Sequence, residues 1–203
     1  MVATACSVGP PAPDPIVFVH GWLGRPDQWS AMVERFADDG WPDDRLVVWA
    51  YDSGLDNLTI AGLLAEEVDR VLEATGASKV DLVTHSMGAL PSRWFVKHLD
   101  GAARVDAWVS IAGPNGGLAI DDCPNASCED MHPDSPFLAA LNEGDPTPGD
   151  VRYATWASSC DTVVEPASTE LEGAENTRTP CLDHVGIIED GGVYAGVRDF
   201  VSG

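Results

Sequence analysis

The sequence predicts an α/β protein with a mostly parallel central sheet and helices on both faces of that sheet. Short apolar runs rich in valine and isoleucine alternate with segments whose apolar residues recur at helical spacing, which is typical of parallel sheets. The short runs are apolar at most positions, as expected for strands buried on both faces. With 203 residues and no linker-like stretch, the chain is predicted to form one domain over 1–203, beginning with an extended arm over 1–14.

Five strands and four helices follow from these patterns. The strands are predicted over residues 16–19, 46–51, 80–84, 105–111 and 152–157. The helices are predicted over residues 26–39, 58–74, 87–99 and 193–201. The clearest helix is 58–74, because its apolar residues share one face and its charged residues occupy the other. Gly76 then provides the residue at which this helix ends.

Residues 113–150 interrupt the alternation of strands and helices. The stretch is rich in glycine, proline, aspartate and asparagine, and it is too long for an idle connection between two elements. We therefore expect an insertion or small lid near the active site, with a short helix over 135–142.

The charge balance and the hydropathy exclude two classes of function. The chain carries 33 Asp and Glu residues against 11 Lys and Arg residues, for a formal net charge of −22. Such a charge repels phosphate backbones, so nucleic-acid binding is not expected. No apolar run reaches the roughly 18 residues that a membrane-spanning helix needs. A strongly charged surface favours solubility, and we expect a monomer.

The strongest chemical signal is a serine on a sharp turn between a predicted strand and a predicted helix. The strand 80–84 leads into a His-Ser-Met-Gly turn that contains Ser86. Such a turn exposes the serine hydroxyl at the positive end of the following helix, where a base can take its proton. Small residues are needed two positions before and after the serine; Gly88 fits, whereas Thr84 departs from the usual glycine. Ser86 is therefore the predicted nucleophile.

Asp161 and His184 are the predicted acid and base. In enzymes with this turn, the acid and the histidine follow the serine in that order along the chain. Asp161 opens a loop after the strand 152–157, and His184 is the histidine that lies late in the chain. Asp161 would hold the imidazole of His184 in the tautomer that accepts the serine proton. The alternative acids are Asp183, Glu165 and Asp190.

Two backbone amides are predicted to bind the oxyanion of a tetrahedral intermediate. The strand 16–19 ends in His-Gly, and the amide of Trp22 follows directly. The second donor is the amide of the residue after the nucleophile, Met87. The side chain of His20 lies at a strand end and precedes the nucleophile in the chain, so we interpret it as a structural hydrogen-bonding group.

Four of the five cysteines form two pairs that are close in sequence. Cys123 and Cys128 lie in the insertion, while Cys160 and Cys181 precede the predicted acid and base. We expect the disulfides Cys123–Cys128 and Cys160–Cys181, and with them an oxidising, extracellular location. Cys6 follows Ala-Thr-Ala, as at the end of a lipoprotein signal, so it is either a lipid-anchored residue or an incidental free thiol.

These motifs together resemble those of the minimal secreted bacterial lipases of the lipase A type, also called class 2 lipases. The resemblance rests on residues 18–22, 80–88, 95–101 and 113–117 and on the later Asp161 and His184. It implies a single-domain α/β-hydrolase without a large cap domain, acting on acylglycerols and simpler esters. Some secreted relatives cleave aliphatic polyesters, so the resemblance adds polyesters to the expected substrates.

A lipase of this kind must present apolar side chains to an acyl chain or a lipid surface. The predicted substrate-binding residues are Leu23, Leu118, Phe137, Val164 and Ile187. An acidic group in the insertion offers oxygen atoms that suit calcium, but its spacing matches no defined calcium loop, so we interpret it as a solvated patch. Its members are Asp121, Asp122, Glu129 and Asp130. No metal or other cofactor is predicted.

The leading functional hypothesis is ester hydrolysis through an acyl-enzyme on Ser86, at a site that contacts a lipid surface transiently. One alternative is acyl transfer or thioesterase chemistry on the same three residues, which needs a site that shields the acyl-enzyme from water. Another is a non-catalytic binding protein on a hydrolase scaffold. The presence of a nucleophile, an acid, a base and two amide donors argues against this last hypothesis.

Overall fold

A computed structural model describes residues 12–203 and contains a six-stranded sheet. The strands are β1 Ile16–Val19, β2 Leu46–Trp49, β3 Val80–His85, β4 Val105–Ile111, β5 Arg152–Ser158 and β6 Glu175–Thr179. They pair in the order β2-β1-β3-β4-β5-β6, and each pair of neighbours runs parallel. The predicted α/β class with a mostly parallel sheet is therefore confirmed.

The sixth strand, β6, is the one that the sequence patterns did not predict. Its five residues are Glu-Asn-Thr-Arg-Thr, and the first four are exposed to solvent. β6 pairs only with β5, at the edge of the sheet. Because an edge strand needs no buried apolar run, hydrophobic patterning carries no signal for it.

The two faces of the sheet carry separate hydrophobic cores. Alternate residues of β1 point to opposite faces, so Val17 and Val19 enter one core while Ile16 and Phe18 enter the other. All four side chains are fully buried. This two-sided burial explains why the central strands read as unbroken apolar runs.

Helices cover both faces. They are α1 Ser30–Asp38, α2 Asn57–Thr75, α3 Ala89–His98, α4 Ala126–Met131, α5 Pro136–Asn142, α6 Pro166–Thr169 and α7 Gly191–Val201. Side chains of α1 and α7 enter the core that contains Phe18, and side chains of α2 to α5 enter the core that contains Val17. The helix predicted over 58–74 is α2, which Asp56 caps by accepting from the Thr59 amide and which ends at left-handed Gly76.

The stretch 113–150 contains α4 and α5. The short helix expected over 135–142 is present as α5, and α4 is an additional helix that contains Cys128 of the Cys123–Cys128 disulfide. Asp130 of α4 accepts a hydrogen bond from the Asn57 amide at 2.8 Å, which attaches the stretch to the start of α2. The stretch therefore packs on the body of the protein through specific polar contacts.

Part of the predicted amino-terminal arm and Cys6 lie outside the described residues. Of residues 1–14, the structure describes Ala12, Pro13 and Asp14. Among residues 12–203, no helix combines the length and the apolar composition needed to cross a bilayer.

The start of the segment after β3 lies against β1 at a point where only glycine fits. A Cβ atom added to Gly88 would lie 2.5 Å from the carbonyl oxygen of His20 and 2.7 Å from that of Val19. Both are backbone atoms, which cannot move without displacing the strand. Gly88 therefore permits the close approach of the turn after β3 to the end of β1.

Replacing Gly88 by alanine is expected to destabilise the protein because the added methyl group overlaps with backbone. We expect Gly88→Ala to lower the free energy of unfolding by about 2–3 kcal/mol, measured by urea denaturation. The matched control is Gly62→Ala in α2, where an added Cβ meets no atom within 4 Å. That control should raise stability by up to about 1 kcal/mol through helix propensity. Equal stabilities of Gly88→Ala and wild type would contradict the steric argument.

Candidate active site

Ser86 lies on a strained turn at the carboxyl end of β3. Its φ angle is 53°, in the left-handed region that non-glycine residues rarely adopt. The turn Ser86–Gly88 is a 3-10 turn that leads directly into α3. The strain places the hydroxyl between the end of the sheet and the amino terminus of the helix. This is the geometry that the strand-turn-helix pattern predicts.

Thr84, where a glycine is usual, is accommodated inside the sheet. Its side chain is fully buried, and its Oγ1 donates a hydrogen bond to the carbonyl oxygen of Val109 in β4 at 2.8 Å. The buried hydroxyl is therefore satisfied by a partner in the neighbouring strand. The departure from the usual pattern does not disturb the turn.

The side chains of Ser86, His184 and Asp161 form a hydrogen-bonded chain. His184 Nε2 lies 3.0 Å from Ser86 Oγ, and His184 Nδ1 lies 2.7 Å from Asp161 Oδ2. The three residues are far apart in sequence but meet above the carboxyl ends of β3 and β5. With Nδ1 donating to the carboxylate, Nε2 is free to accept the serine proton.

The carboxylate of Asp161 is buried and held by several donors. Its side chain is only 1% exposed, and its Oδ1 accepts from the amides of Val163 at 2.8 Å and Val164 at 3.0 Å. Burial raises the pKa of this carboxyl, but the bond from His184 and the two amide bonds outweigh it, so the pKa lies below its ordinary value. Asp161 is therefore ionised at neutral pH.

The alternative acids have other partners. Asp183 Oδ1 accepts from the amides of Val185 and Gly186, and Asp190 Oδ1 accepts from the amides of Gly192 and Val193 to cap α7. Glu165 is exposed at the start of α6. Of the four candidate acids, Asp161 is the one whose carboxylate contacts His184.

The loops that carry the acid and the base are joined by two kinds of link. Cys160 and Cys181 form a disulfide. Ser158 Oγ donates to the Leu182 carbonyl oxygen at 2.6 Å and accepts from the Leu182 amide at 2.9 Å. The two links lie directly before Asp161 and His184, so they restrict the relative movement of the two side chains. No sequence signal identified Ser158.

The end of β1 runs beside the nucleophile. A Cβ atom added to Gly21 would lie 2.7 Å from Ser86 Cβ and 3.2 Å from Ser86 Oγ. The chain then turns at Trp22, whose amide is one of the two predicted oxyanion donors. The other, the amide of Met87, is in the first turn after the nucleophile, where helical amides have no intrahelical acceptor. The side chain of His20 stacks on Tyr51 at 4.2 Å, in keeping with a structural role.

A cavity of about 390 Å³ opens beside the nucleophile and the base. Its walls are mostly apolar, and they come from the turn after β1, from residues 118–131 and from the acid loop. The lining residues other than Ser86 and His184 are Trp22, Leu118, Ala119, Ile120, Met131, Thr162 and Val163. The cavity has the size and character of a site for an acyl chain.

Comparison with known proteins identifies the family. Residues 13–196 match the family model described as lipase (class 2). The chain belongs to the class 2 lipases. Membership in this family makes the protein a hydrolase of lipids or esters.

Solved structures share the fold at low sequence identity. A mature lipase of Bacillus licheniformis, BlEst2, superposes with a TM-score of 0.83 at 19% identity, covering 96% of this chain and 94% of that one. Lipase B of Aspergillus fumigatus gives a TM-score of 0.79 at 18% identity, covering 94% of this chain and 53% of that longer one. A metagenomic carboxyl esterase, MGS0156, gives a TM-score of 0.63 at 21% identity, covering 91% of this chain and 71% of that one. The lipase therefore has the α/β-hydrolase fold.

Three of the five predicted substrate-binding residues are buried in the core, so those three predictions are corrected. Leu118 lines the cavity, but Phe137, Val164 and Ile187 are buried in the core. The ring of Phe137 stacks on that of Trp94 with centroids 5.3 Å apart, and the backbone amide of Val164 donates to the Asp161 carboxylate. Leu23 is 70% exposed at the surface rather than in the cavity. An apolar residue near the site in sequence has no preferred direction, so its nature alone does not separate core from wall.

The acidic residues of the insertion are not grouped as a metal site. Among residues 12–203 there is no cluster of three or more His, Cys, Asp or Glu side chains placed to hold a metal ion. Asp121 and Asp122 are exposed, and Asp130 instead contacts the backbone and side chain of Asn57.

His85 is a site residue that the sequence analysis did not single out. Its ring is buried beside the ring of His184, with centroids 4.8 Å apart. Its Nε2 donates to the His184 carbonyl oxygen at 2.8 Å, while its Nδ1 accepts from the side-chain Nε2 of Gln28 at 3.2 Å. Burial lowers the pKa of His85 to about 4. A neutral His85 therefore holds the backbone of the base through this hydrogen bond.

Because His85 remains neutral in the folded lipase, stability should depend on its titration. The unfolded side chain has a pKa near 6.5 and the folded one near 4, so the unfolded state binds an extra proton between these values. Stability is therefore lost as pH falls through this window, by roughly 3 kcal/mol at its lower end. His85→Gln cannot titrate and should lack this loss.

Urea denaturation of wild type and His85→Gln at about pH 7.5 and about pH 4.5 measures the difference. The free energy of unfolding of wild type should fall further than that of the variant. Parallel pH dependences in the two proteins would contradict the assignment of a neutral buried His85.

Proposed function

We propose that this lipase is a secreted serine hydrolase that cleaves acylglycerols or other aliphatic esters, polyesters among them, through an acyl-enzyme on Ser86. The observation that carries the proposal is the continuous hydrogen-bonded chain from Ser86 through His184 to a buried, ionised Asp161. A serine with such a base at 3.0 Å is an activated nucleophile.

In the proposed mechanism, Ser86 Oγ attacks the ester carbonyl while His184 Nε2 takes the hydroxyl proton. The carbonyl oxygen becomes an oxyanion, which the amides of Trp22 and Met87 bind. As the carbon–oxygen bond to the alcohol breaks, His184 gives its proton to that leaving oxygen. A water molecule, deprotonated by His184, then attacks the acyl-enzyme and releases the acid and Ser86. Asp161 stays ionised throughout and stabilises the imidazolium.

The cavity and the net charge support an uncharged substrate. The walls formed by Leu118, Ile120 and Met131 are apolar and suit an acyl chain rather than a polar group. The net charge of −22 disfavours anionic esters and anionic lipid surfaces.

His184 remains partly exposed, at 14% of its side chain, so water reaches the base. Access for water supports hydrolysis over the alternative of acyl transfer or thioester chemistry.

Secretion and a monomeric state are further parts of the proposal. Two disulfides in a chain of this size support an oxidising compartment. A large net charge of one sign disfavours self-association.

Substitution of the nucleophile tests the proposal most simply. Ser86→Ala should lower kcat on p-nitrophenyl butyrate by roughly a millionfold, because no other group takes over the attack. The control is Ser202→Ala, an exposed serine at the end of α7, which should retain full activity. A fluorophosphonate should modify wild type at Ser86, as located by peptide mass spectrometry.

The alternatives make different predictions in the same assay. Absence of both turnover and modification in wild type would support the hypothesis of a non-catalytic binding protein. Turnover in which an added alcohol or thiol captures most of the acyl group would support transfer. Partition to water in the presence of such acceptors would support hydrolysis.

Three exposed apolar side chains should mediate contact with an uncharged lipid surface. Leu23, Val163 and Val185 are 70%, 45% and 55% exposed, and each is next to or part of the cavity and the triad. Burying an exposed apolar side chain contributes on the order of 1–2 kcal/mol. Replacing all three by serine should therefore weaken adsorption to emulsified triacylglycerol by about tenfold or more.

Activity on the emulsion should fall in parallel in the triple variant, while kcat/KM on soluble p-nitrophenyl acetate should fall by a smaller factor. The control is Leu63→Ser, an exposed leucine on α2 in a cleft that does not contain the triad. A triple variant that adsorbs like wild type would contradict this role of the three side chains.

A further inference from the structure

Trp22 is attached to the insertion by a side-chain hydrogen bond. Its indole Nε1 donates to Asn125 Oδ1 at 3.1 Å across 103 residues of sequence. The same Asn125 oxygen accepts from the Cys128 amide at 3.2 Å and thereby caps α4. One amide oxygen thus joins the first turn of α4 to the residue whose backbone is a proposed oxyanion donor.

The turn that contains Trp22 has a conformation that needs external support. The Gly24 amide donates to the Gly21 carbonyl oxygen at 3.0 Å, which closes a tight turn over Trp22 and Leu23. Leu23 has a φ angle of 54°, a left-handed value that is unfavourable for leucine. Its amide donates to Ser53 Oγ at 3.1 Å. The direction of the Trp22 backbone N–H depends on the conformation of this turn. Contacts that fix the turn therefore also fix the direction of this N–H group.

Both supports of the turn lead to the segment closed by the Cys123–Cys128 disulfide. Ser127 Oγ donates to the Ser53 carbonyl oxygen at 2.5 Å, so the residue that holds Leu23 is itself held by α4. The disulfide closes a loop around Asn125. The segment is fixed to α2 in turn, through the contact of Asp130 with Asn57.

We infer that Asn125 is a positioning residue for the oxyanion donor Trp22. The inference rests on the proposed function, because it assigns to Asn125 an effect on the transition state of that reaction. Asn125 does not reach the reacting atoms. It holds the indole of Trp22 against the insertion, and this contact orients the Trp22 backbone amide toward the space beside Ser86.

Three variants separate this contact from helix capping. Asn125→Ser keeps an oxygen that can cap α4, but its side chain is too short to reach the indole. Asn125→Asp keeps an acceptor at the same length and should restore the contact. Trp22→Phe keeps an aromatic ring on the cavity wall but removes the indole N–H, so it breaks the contact from the other side.

Steady-state kinetics on p-nitrophenyl butyrate give the first readout. Loss of an oxyanion donor costs about 100-fold or more in kcat, so a misaligned donor in Asn125→Ser should lower kcat by about tenfold with little change in KM. Asn125→Asp should keep kcat within about threefold of wild type. Asn125→Ser should cause no further loss in the Trp22→Phe background, because the contact is already broken there.

The second readout does not depend on catalysis. The indole N–H resonance of Trp22, assigned by its loss in Trp22→Phe, should shift and exchange faster with solvent in Asn125→Ser. Wild-type kcat in a folded Asn125→Ser variant would overturn the inference, as would an equal loss in the Trp22→Phe background. Absence of turnover in wild type itself would instead overturn the proposed function, and the indole resonance would still report whether the contact exists.

Discussion

The hydrogen bond between Asp161 and His184 is the interaction on which the site depends. A carboxylate with 1% exposure of its side chain would be costly to ionise alone, and it is ionised here because an imidazole and two backbone amides donate to it. The same bond fixes the histidine tautomer and directs Nε2 toward Ser86. A change that moved either partner would leave a buried charge without its donor and a serine without its base.

The fold holds this pair from several directions. The disulfide and Ser158 tie the acid loop to the base loop, and His85 holds the His184 backbone. The nucleophile is fixed separately by the strained turn after β3, which needs Gly88 to pass β1. Rigid support of this kind keeps reacting groups in a productive geometry before a substrate arrives. The insertion contributes the remaining support, through Asn125 and Ser53 to the turn at Trp22.

Sequence patterns predicted the parts of the molecule that follow general rules. Unbroken apolar runs identified five strands, and the strand-turn-helix motif pointed to Ser86 because its geometry requires particular residues at fixed spacing. The polar edge strand β6 has no such pattern. His85, Ser158 and Asn125 act through contacts with distant backbone or side-chain atoms, and no local spacing encodes those contacts. The cavity wall could not be separated from the core, because Phe137 and Leu118 are equally apolar and differ only in direction.

The central claim is that Ser86, His184 and the two amides converge on one reacting carbon. A crystal structure of the protein after covalent inactivation by a phosphonate ester tests it most directly. We predict a bond from phosphorus to Ser86 Oγ, with the phosphoryl oxygen about 2.7–3.1 Å from the amide nitrogens of both Trp22 and Met87. Phosphorus attached to another residue, or a phosphoryl oxygen turned away from both amides, would contradict the account.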